Sequence, residues 1–145
     1  VVGAFRGGSR RSRARAAVAV LDALEREFGA KPADVVAAIG PSIGPCCYEV
    51  GSELVDAFAS AGHEAYLIDR WFLAPAPPRG SRERPKLRLD VPGANRDQLL
   101  IAGVPDEQIH ASGLCTAMHL DVLTSYRAEK ATAGRLAAVI RALSE

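Results

Sequence analysis

Gly40-Pro41 and Gly44-Pro45 stand four residues apart between two apolar runs, and they restrict the fold more than any other feature of the sequence. Proline fixes φ and carries no amide hydrogen, while glycine admits backbone angles closed to other residues. Neither a helix nor a central strand continues through two such pairs, so the chain must turn within residues 37–51. On the near side, residues 35–39 are short, apolar and partly β-branched, which predicts a buried strand. On the far side, residues 48–50 predict another. The loop between them holds Gly40, Ser42, Ile43, Gly44, Cys46 and Cys47. Such a loop can aim successive backbone N–H groups into a concave anion site, with the Ser42 hydroxyl beside them. It can equally be a tight connection without a ligand. It is neither a Walker loop nor a dinucleotide fingerprint.

Elements alternate around this turn. Residues 1–5 read as a strand end and 6–9 as a turn. A helix is predicted over 11–28, where Ala17, Leu21, Leu24 and Phe28 form one apolar stripe and Asp22 and Arg26 lie opposite. Gly29 and Pro32 stop it. A second helix is predicted over 52–61, capped by Ser52, with Leu54, Val55 and Phe58 inward and Gly62 at its end. Residues 74–85 hold several prolines and arginines and read as a loop. Residues 86–90 alternate as a strand, 92–102 suit a helix with Leu99 and Leu100 inward, and Ile109 begins another strand. Residues 135–143 suit either a helix or a strand. The expected class is therefore mixed α/β, in one domain spanning 1–145.

The formal charge of +1 creates no overall field that would attract nucleic acid or an anionic membrane. No apolar run approaches the ~20 residues of a membrane span, and no basic head precedes an apolar leader. Three cysteines, two of them adjacent, make a poor disulfide framework and suit a reducing cytoplasm.

Several side chains can carry chemistry. Arg6, Arg10, Arg11, Arg13 and Arg15 form a basic run that can grip phosphate or simply face water. Cys46 and Cys47 are either activated thiols or small packed apolar groups. Cys115 and His119 are spaced i,i+4 and, with Cys46 or Cys47, can form a metal site. His63 reads as a helix-end cap and His110 as structural. Asn95 and Arg96 suit a cap and salt bridge at a helix start. In Ser125-Tyr126-Arg127, Tyr126 can stack on a base and Arg127 can meet an anion, or the trio can anchor a loop.

Taken in order, AAIGPSIGPCCYEVG at 37–51, LRLDVPGANRDQLLIAGV at 87–104 and GLCTAMHLDVLTSYRAEKATAGRLAAVI at 113–140 resemble the YfiH-type laccase-domain family. Its members, once labelled multicopper polyphenol oxidases, are associated with zinc-dependent purine nucleoside phosphorylase and adenosine deaminase activity. The resemblance implies an α/β sandwich in which a mixed sheet is flanked by helices, and it turns residues 135–143 toward a strand. It implies purine nucleoside and phosphate as substrates. Arg6 or Arg10 would be the counterpart of the family's catalytic arginine. Gly40, Ser42, Ile43, Gly44, Cys47, Tyr126 and Arg127 would hold substrate. The family's zinc ligands sit in Val-His-Gly, Asp-Cys-Leu/Val-Pro and His-Ala-Gly-Trp-Arg-Gly motifs. The first two would lie upstream of Val1 and the third is unmatched, since the first histidine is His63. No family zinc ligand is thus expected in this chain, and the replacement site would be Cys47, Cys115 and His119. The chain is expected to be a C-terminal portion without its N-terminal strands, or a degenerate homologue. Two other functions stay open: an inactive, metal-free interaction module, and a copper phenol oxidase, for which three histidines are too few.

Overall fold

The apolar stripe of the first helical stretch forms α2, Ala16–Phe28, but a separate short helix, α1, Ser9–Arg13, precedes it. The structure is a computed structural model and describes residues 9–74 and 86–141. The strand expected at 1–5, Arg6, most of the 74–85 loop and the last four residues lie outside them. The single helix expected over 11–28 is broken because Arg15 takes a left-handed conformation, φ 53° and ψ 41°. Two contacts from the 62–63 turn hold that break: Arg15 donates to the Gly62 carbonyl, and His63 Nε2 to the Arg13 carbonyl at 2.8 Å. A carbonyl only accepts, so the proton sits on Nε2. His63 is therefore a cap, but for the end of α1 rather than for the 52–61 helix that it follows, and it is buried. Gly29, at φ 67°, closes α2 by donating to the Glu25 carbonyl at 2.8 Å. Phe28 departs from the expected stripe and is 63% exposed, because the helix end runs beyond the core.

The run at 35–39 yields β1, Ala37–Ile39, after a 3-10 turn at Pro32–Asp34. β1 pairs in parallel with the last strand, β5, Ile109–Ala111, in the register Ala37 to Ile109 and Ile39 to Ala111. The turn gives way to β2, Glu49–Val50, then α3, Glu53–Ser60, α4, Ala65–Trp71, and β3, Phe72–Leu73. β4, Leu87–Leu89, lies between β2 and β3, antiparallel to both. Parallel and antiparallel pairing together make the expected mixed α/β class, as two small sheets rather than one.

Each sheet has its own core. Ala17 and Leu21 of α2 pack with Leu99, Val104 and Ile109 over the parallel pair. Phe58, Trp71, Phe72, Leu89 and Val91 fill the other cluster. Phe58 and Leu89 are fully buried, each stabilising the fold by roughly 1.5–3 kcal/mol. The helix α5, Val91–Ile101, joins the two, giving Val91 and Ala94 to one cluster and Leu99 to the other. Asp90 caps it by accepting from the Gly93 N–H at 2.9 Å.

Polar groups on α5 fix its neighbours. Buried Asn95 donates to the Val91 carbonyl at 2.8 Å and accepts from Ser12 Oγ at 3.2 Å. Gln98 Nε2 donates to the Ser12 carbonyl at 2.8 Å. Arg96 pairs with Asp106. Arg96 therefore makes a salt bridge, as the plainer reading expected, whereas Asn95 is not the expected cap, a role that Asp90 takes, but ties α5 to Ser12.

The C-terminal expectation fails. After α6, Tyr126–Glu129, residues 133–141 form neither helix nor strand, and Leu136, Val139 and Ile140 are exposed. A strand needs a ladder partner; β1 and β5 pair with each other, and the run joins neither. Among the described residues, no helix is long and apolar enough to cross a membrane.

Candidate active site and thiol cluster

The turn after β1 lies against the turn after β5. Beyond the register of the strands, Ser42 bridges to Cys115: its N–H donates to the Leu114 carbonyl at 3.3 Å and its carbonyl accepts from Thr116 at 3.0 Å. Gly44 is favoured by close approach. A Cβ there would stand 3.3 Å from Cys115 Cβ and 3.5 Å from Cys46 Sγ. Neither Gly40 nor Gly44 uses a positive φ; across the gap, Gly113 does, at 68°.

These two turns wall a cavity of about 210 Å³ with the start of α5. Gly40, Ser42, Gly44 and Pro45 line one side, Asp90 and Pro92 the floor, and residues 111–115 the other side. The cavity thus lies past the carboxyl ends of two parallel strands, where open α/β sheets place ligands. Ser42 Oγ is buried there without a hydrogen-bond partner. A hydroxyl in that state costs free energy unless a ligand or water completes it.

The expected cradle of backbone donors is not what the loop forms. Besides the Ser42 amide, the Gly44 N–H goes to Cys115 Sγ at 3.3 Å, and the Cys47 and Tyr48 N–H groups go to the Gly44 carbonyl at 3.0 and 3.1 Å. Pro41 and Pro45 have none. Four of the loop's amides are thus engaged, two of them across the gap, and the Ser42 hydroxyl is a buried side-chain polar atom of the loop without a partner.

The three thiols meet behind this wall. The sulfurs of Cys46, Cys47 and Cys115 all lie within 4.8 Å of one another, with Cys46 and Cys47 3.5 Å apart. Cys46 also borders a second, open cavity of about 470 Å³ with Asp69, Phe72 and Arg88. Partial desolvation of its sulfur, helped by the two sulfur neighbours, pushes the Cys46 thiol up to about 12, although the residue as a whole is exposed. Burial also raises Cys115, but the Gly44 N–H, the Cys46 thiol, the Ala117 N–H and the Cys47 thiol outweigh it and bring Cys115 down to about 7. Such a trio can hold one metal ion.

The expected set of Cys47, Cys115 and His119 needs correction in one member. His119 Nδ1 is turned to the Cys115 carbonyl at 2.9 Å, and Cys46 takes its place. Among the described residues, no histidine joins a group of three metal-binding side chains. The donor set therefore fits a thiophilic ion and does not fit the imidazole ligation of a multicopper cluster or the family's histidine-bearing zinc site.

The other expected site residues lie elsewhere. Arg10 is exposed on α1 and lines neither cavity. Ile43 is half-buried between the cavity-lining residues Ser42 and Gly44. Tyr126 is exposed at the start of α6, and the Arg127 guanidinium sits 4.8 Å from the centre of the Tyr48 ring. Asp90, Pro92 and the 111–114 turn were not anticipated as cavity walls. Ser112-Gly113, directly after a strand, was the available signal.

The family profile described as multi-copper polyphenol oxidoreductase laccase matches residues 1–143. Purine nucleoside phosphorylase YlmD of Geobacillus stearothermophilus is 40% identical over 111 residues, 75% of this chain and 36% of that protein. Adenosine deaminase RL5, from an unknown prokaryotic organism, is 35% identical over 116 residues, 80% of this chain and 40% of the relative. The crystal structure of Bacillus licheniformis hypothetical protein YfiH superposes with a TM-score of 0.70 at 31% identity, covering 83% of this chain and 42% of that one. The chain thus spans about two fifths of the length of the relatives it matches.

Proposed function

The chain belongs to the multi-copper polyphenol oxidoreductase laccase family, and on that premise we propose that it carries part of a purine nucleoside phosphorylase site. The observation that carries this reading is that Ser42, whose hydroxyl is buried without a partner, is one of the residues lining the cavity beyond β1 and β5. The reaction replaces the purine at ribose C1′ by a phosphate oxygen; the C1′–N bond breaks and the purine leaves with a proton. In this reading Ser42 Oγ hydrogen-bonds the nucleoside, and Gly40, Ile43 and Gly44 shape the wall that receives it. Cys47 backs that wall. About 210 Å³ lies below the ~300 Å³ at which pockets usually take a drug-sized ligand, so the cavity takes one end of the nucleoside.

In this reading the bidentate donors for phosphate are Arg10, at the entry of α1, and, before it in the sequence, Arg6, although Arg10 lines neither cavity. The entry is tied to the loop through Ser9, which accepts from the Tyr48 hydroxyl at 3.0 Å. Arg127, stacked on Tyr48, adds positive charge at that junction, and Tyr126 is the aromatic face available to a base at its rim. The zinc that the resemblance implies enters no step here, because the described residues lack its histidine set.

The test is incubation of the chain with inosine and phosphate, following hypoxanthine release, with inosine binding measured in parallel. Phosphate-dependent release that falls in Ser42→Ala supports the reading. Neither release nor binding leaves the interaction-module alternative. Conversion of adenosine to inosine without phosphate would favour the deaminase named among the relatives.

A further inference from the structure

We infer that Cys46, Cys47 and Cys115 form a three-thiolate site for a single thiophilic d10 cation, lying in the wall between the two cavities. This does not rest on the nucleoside reading. The cluster joins two distant parts of the chain: a turn that presents two adjacent sulfurs together, and the buried cysteine just past β5.

Three sulfurs bound at ~2.3 Å around one ion stand about 4 Å apart. The sulfurs here, all within 4.8 Å of one another, reach that spacing by small side-chain adjustments. The donor type is uniform. Among the described residues no imidazole or carboxylate shares the cluster, so the site selects soft ions over magnesium or calcium. The backbone is already arranged for a thiolate, because the Gly44 N–H donates to Cys115 Sγ at 3.3 Å. Such a donor keeps a ligating sulfur oriented and lowers its charge density. Three thiolates and a divalent cation carry one net negative charge, and the open cavity on the Cys46 side is bordered by both Arg88 and Asp69, whose charges oppose each other.

The site has a route for loading and a structural consequence. Cys46 is exposed and opens on the larger cavity, whereas buried Cys115 lines the smaller one. An ion taken up from the open side would clamp the 44–47 turn onto the segment after β5. Occupancy therefore sets the spacing of the two turns that wall the Ser42 cavity.

The probe is Cd²⁺, added to the reduced, metal-free chain under anaerobic conditions. The readouts are the thiolate-to-cadmium charge-transfer absorbance, the count of thiols left open to alkylation, and the melting temperature. Saturation at one equivalent, protection of all three thiols and a raised melting temperature are expected. Loss of a group that merely supports a ligand weakens metal binding about 10–100-fold, so loss of a ligand should cost at least that much. Cys46→Ser, Cys47→Ser and Cys115→Ser should each weaken binding accordingly. Cys46 is exposed, so Cys46→Ser remains informative if Cys115→Ser fails to fold. Absence of the charge-transfer band overturns the site. So does binding that survives Cys46→Ser unchanged, or protection of the Cys46–Cys47 pair with Cys115 still reactive.

Discussion

The Arg127 guanidinium stands 4.8 Å from the centre of the Tyr48 ring, while the hydroxyl of the same ring donates to Ser9 Oγ at 3.0 Å. Tyr48 therefore links three segments remote in sequence: the start of α1, the loop after β1 and the helix α6. The two contacts use different parts of the side chain and can be removed separately. Tyr48→Phe loses the hydroxyl bond and should cost ~0.5–1.5 kcal/mol. Arg127→Ala loses an exposed cation–π contact and should cost ~0.5–1 kcal/mol. Because the phenylalanine keeps the ring face, the double variant should be additive within ~0.5 kcal/mol in urea unfolding. Strong coupling between the two changes would show that the junction rearranges as a unit.

Asp97 is a second point of concentration. It is buried, accepts from Trp71 Nε1 at 2.9 Å and faces Arg70 Nε at 3.2 Å. Asp97→Ala leaves the indole N–H of a fully buried tryptophan without an acceptor and should destabilise by ~1–3 kcal/mol. Asp97→Asn keeps an acceptor and should recover most of that loss. Trp71 is the only tryptophan, so its fluorescence reports this site directly during unfolding. Equal losses in the two variants would assign the effect to charge rather than to the indole bond.

These contacts mark how far sequence reasoning reaches. Asp90 was not named as the cap of α5 although its Asp-x-Pro-Gly start is a local signal, whereas the strand at 37–39 was legible because a short, partly β-branched run acts locally. The break at Arg15 was not, because the helix periodicity continues through it and the cause sits at Gly62 and His63. α4 escaped notice too: its apolar residues Leu67, Ile68 and Trp71 span one short helix whose partners, Phe58 and Leu89, come from other elements. For the site, the loop glycines and Ser42 were legible from composition. The replacement of His119 by Cys46 was not, since i,i+4 spacing assumed a helix where the chain forms only turns. The exposed run at 135–141 kept an amphipathic pattern without a surface to bury it.

Acid should loosen the end of the described chain. The Ser125 N–H and the Thr124 hydroxyl, donating at 2.6 and 2.7 Å, hold the Glu129 carboxyl below its ordinary 4.5. A depressed folded value means the unfolded chain binds the proton more readily, so this contribution is complete above about pH 4.5 and disappears as pH falls through the folded value. The Thr124 hydroxyl also accepts from the Gly134 N–H at 2.8 Å, so the loss should spread to the 133–135 segment. Amide exchange at Ser125 and Gly134 should accelerate in acid beyond the intrinsic trend. Glu129→Gln should remove that pH dependence.

Gly44 and Gly40 give a matched pair. A methyl at Gly44 would crowd Cys115 Cβ and Cys46 Sγ, whereas nothing lies within 4 Å of a Cβ at Gly40. Neither uses a positive φ, so backbone strain does not separate them. Gly44→Ala should cost ~1–3 kcal/mol by overpacking and spread the thiols. Gly40→Ala should be close to neutral in thermal unfolding. A neutral Gly44→Ala would mean that the loop is looser against Cys115 than the 3.3 Å approach implies.

Ser42 should show stability and activity moving in opposite directions. Its hydroxyl is buried without a partner, so Ser42→Ala removes an uncompensated polar atom and should leave the free protein equally stable or up to about 1 kcal/mol more stable. If that hydroxyl meets the nucleoside, the same change should weaken inosine binding by ~0.5–1.5 kcal/mol, roughly two- to tenfold, the net worth of one hydrogen bond. Ser112, across the cavity, already accepts from the Leu114 N–H at 3.4 Å, so Ser112→Ala should alter binding much less. Isothermal titration with inosine and thermal melts of both variants separate the cases. A Ser42→Ala protein that is less stable would mean that the hydroxyl is satisfied by bound water and belongs to the scaffold. A protein that gains stability and keeps full inosine affinity would place the nucleoside away from this cavity.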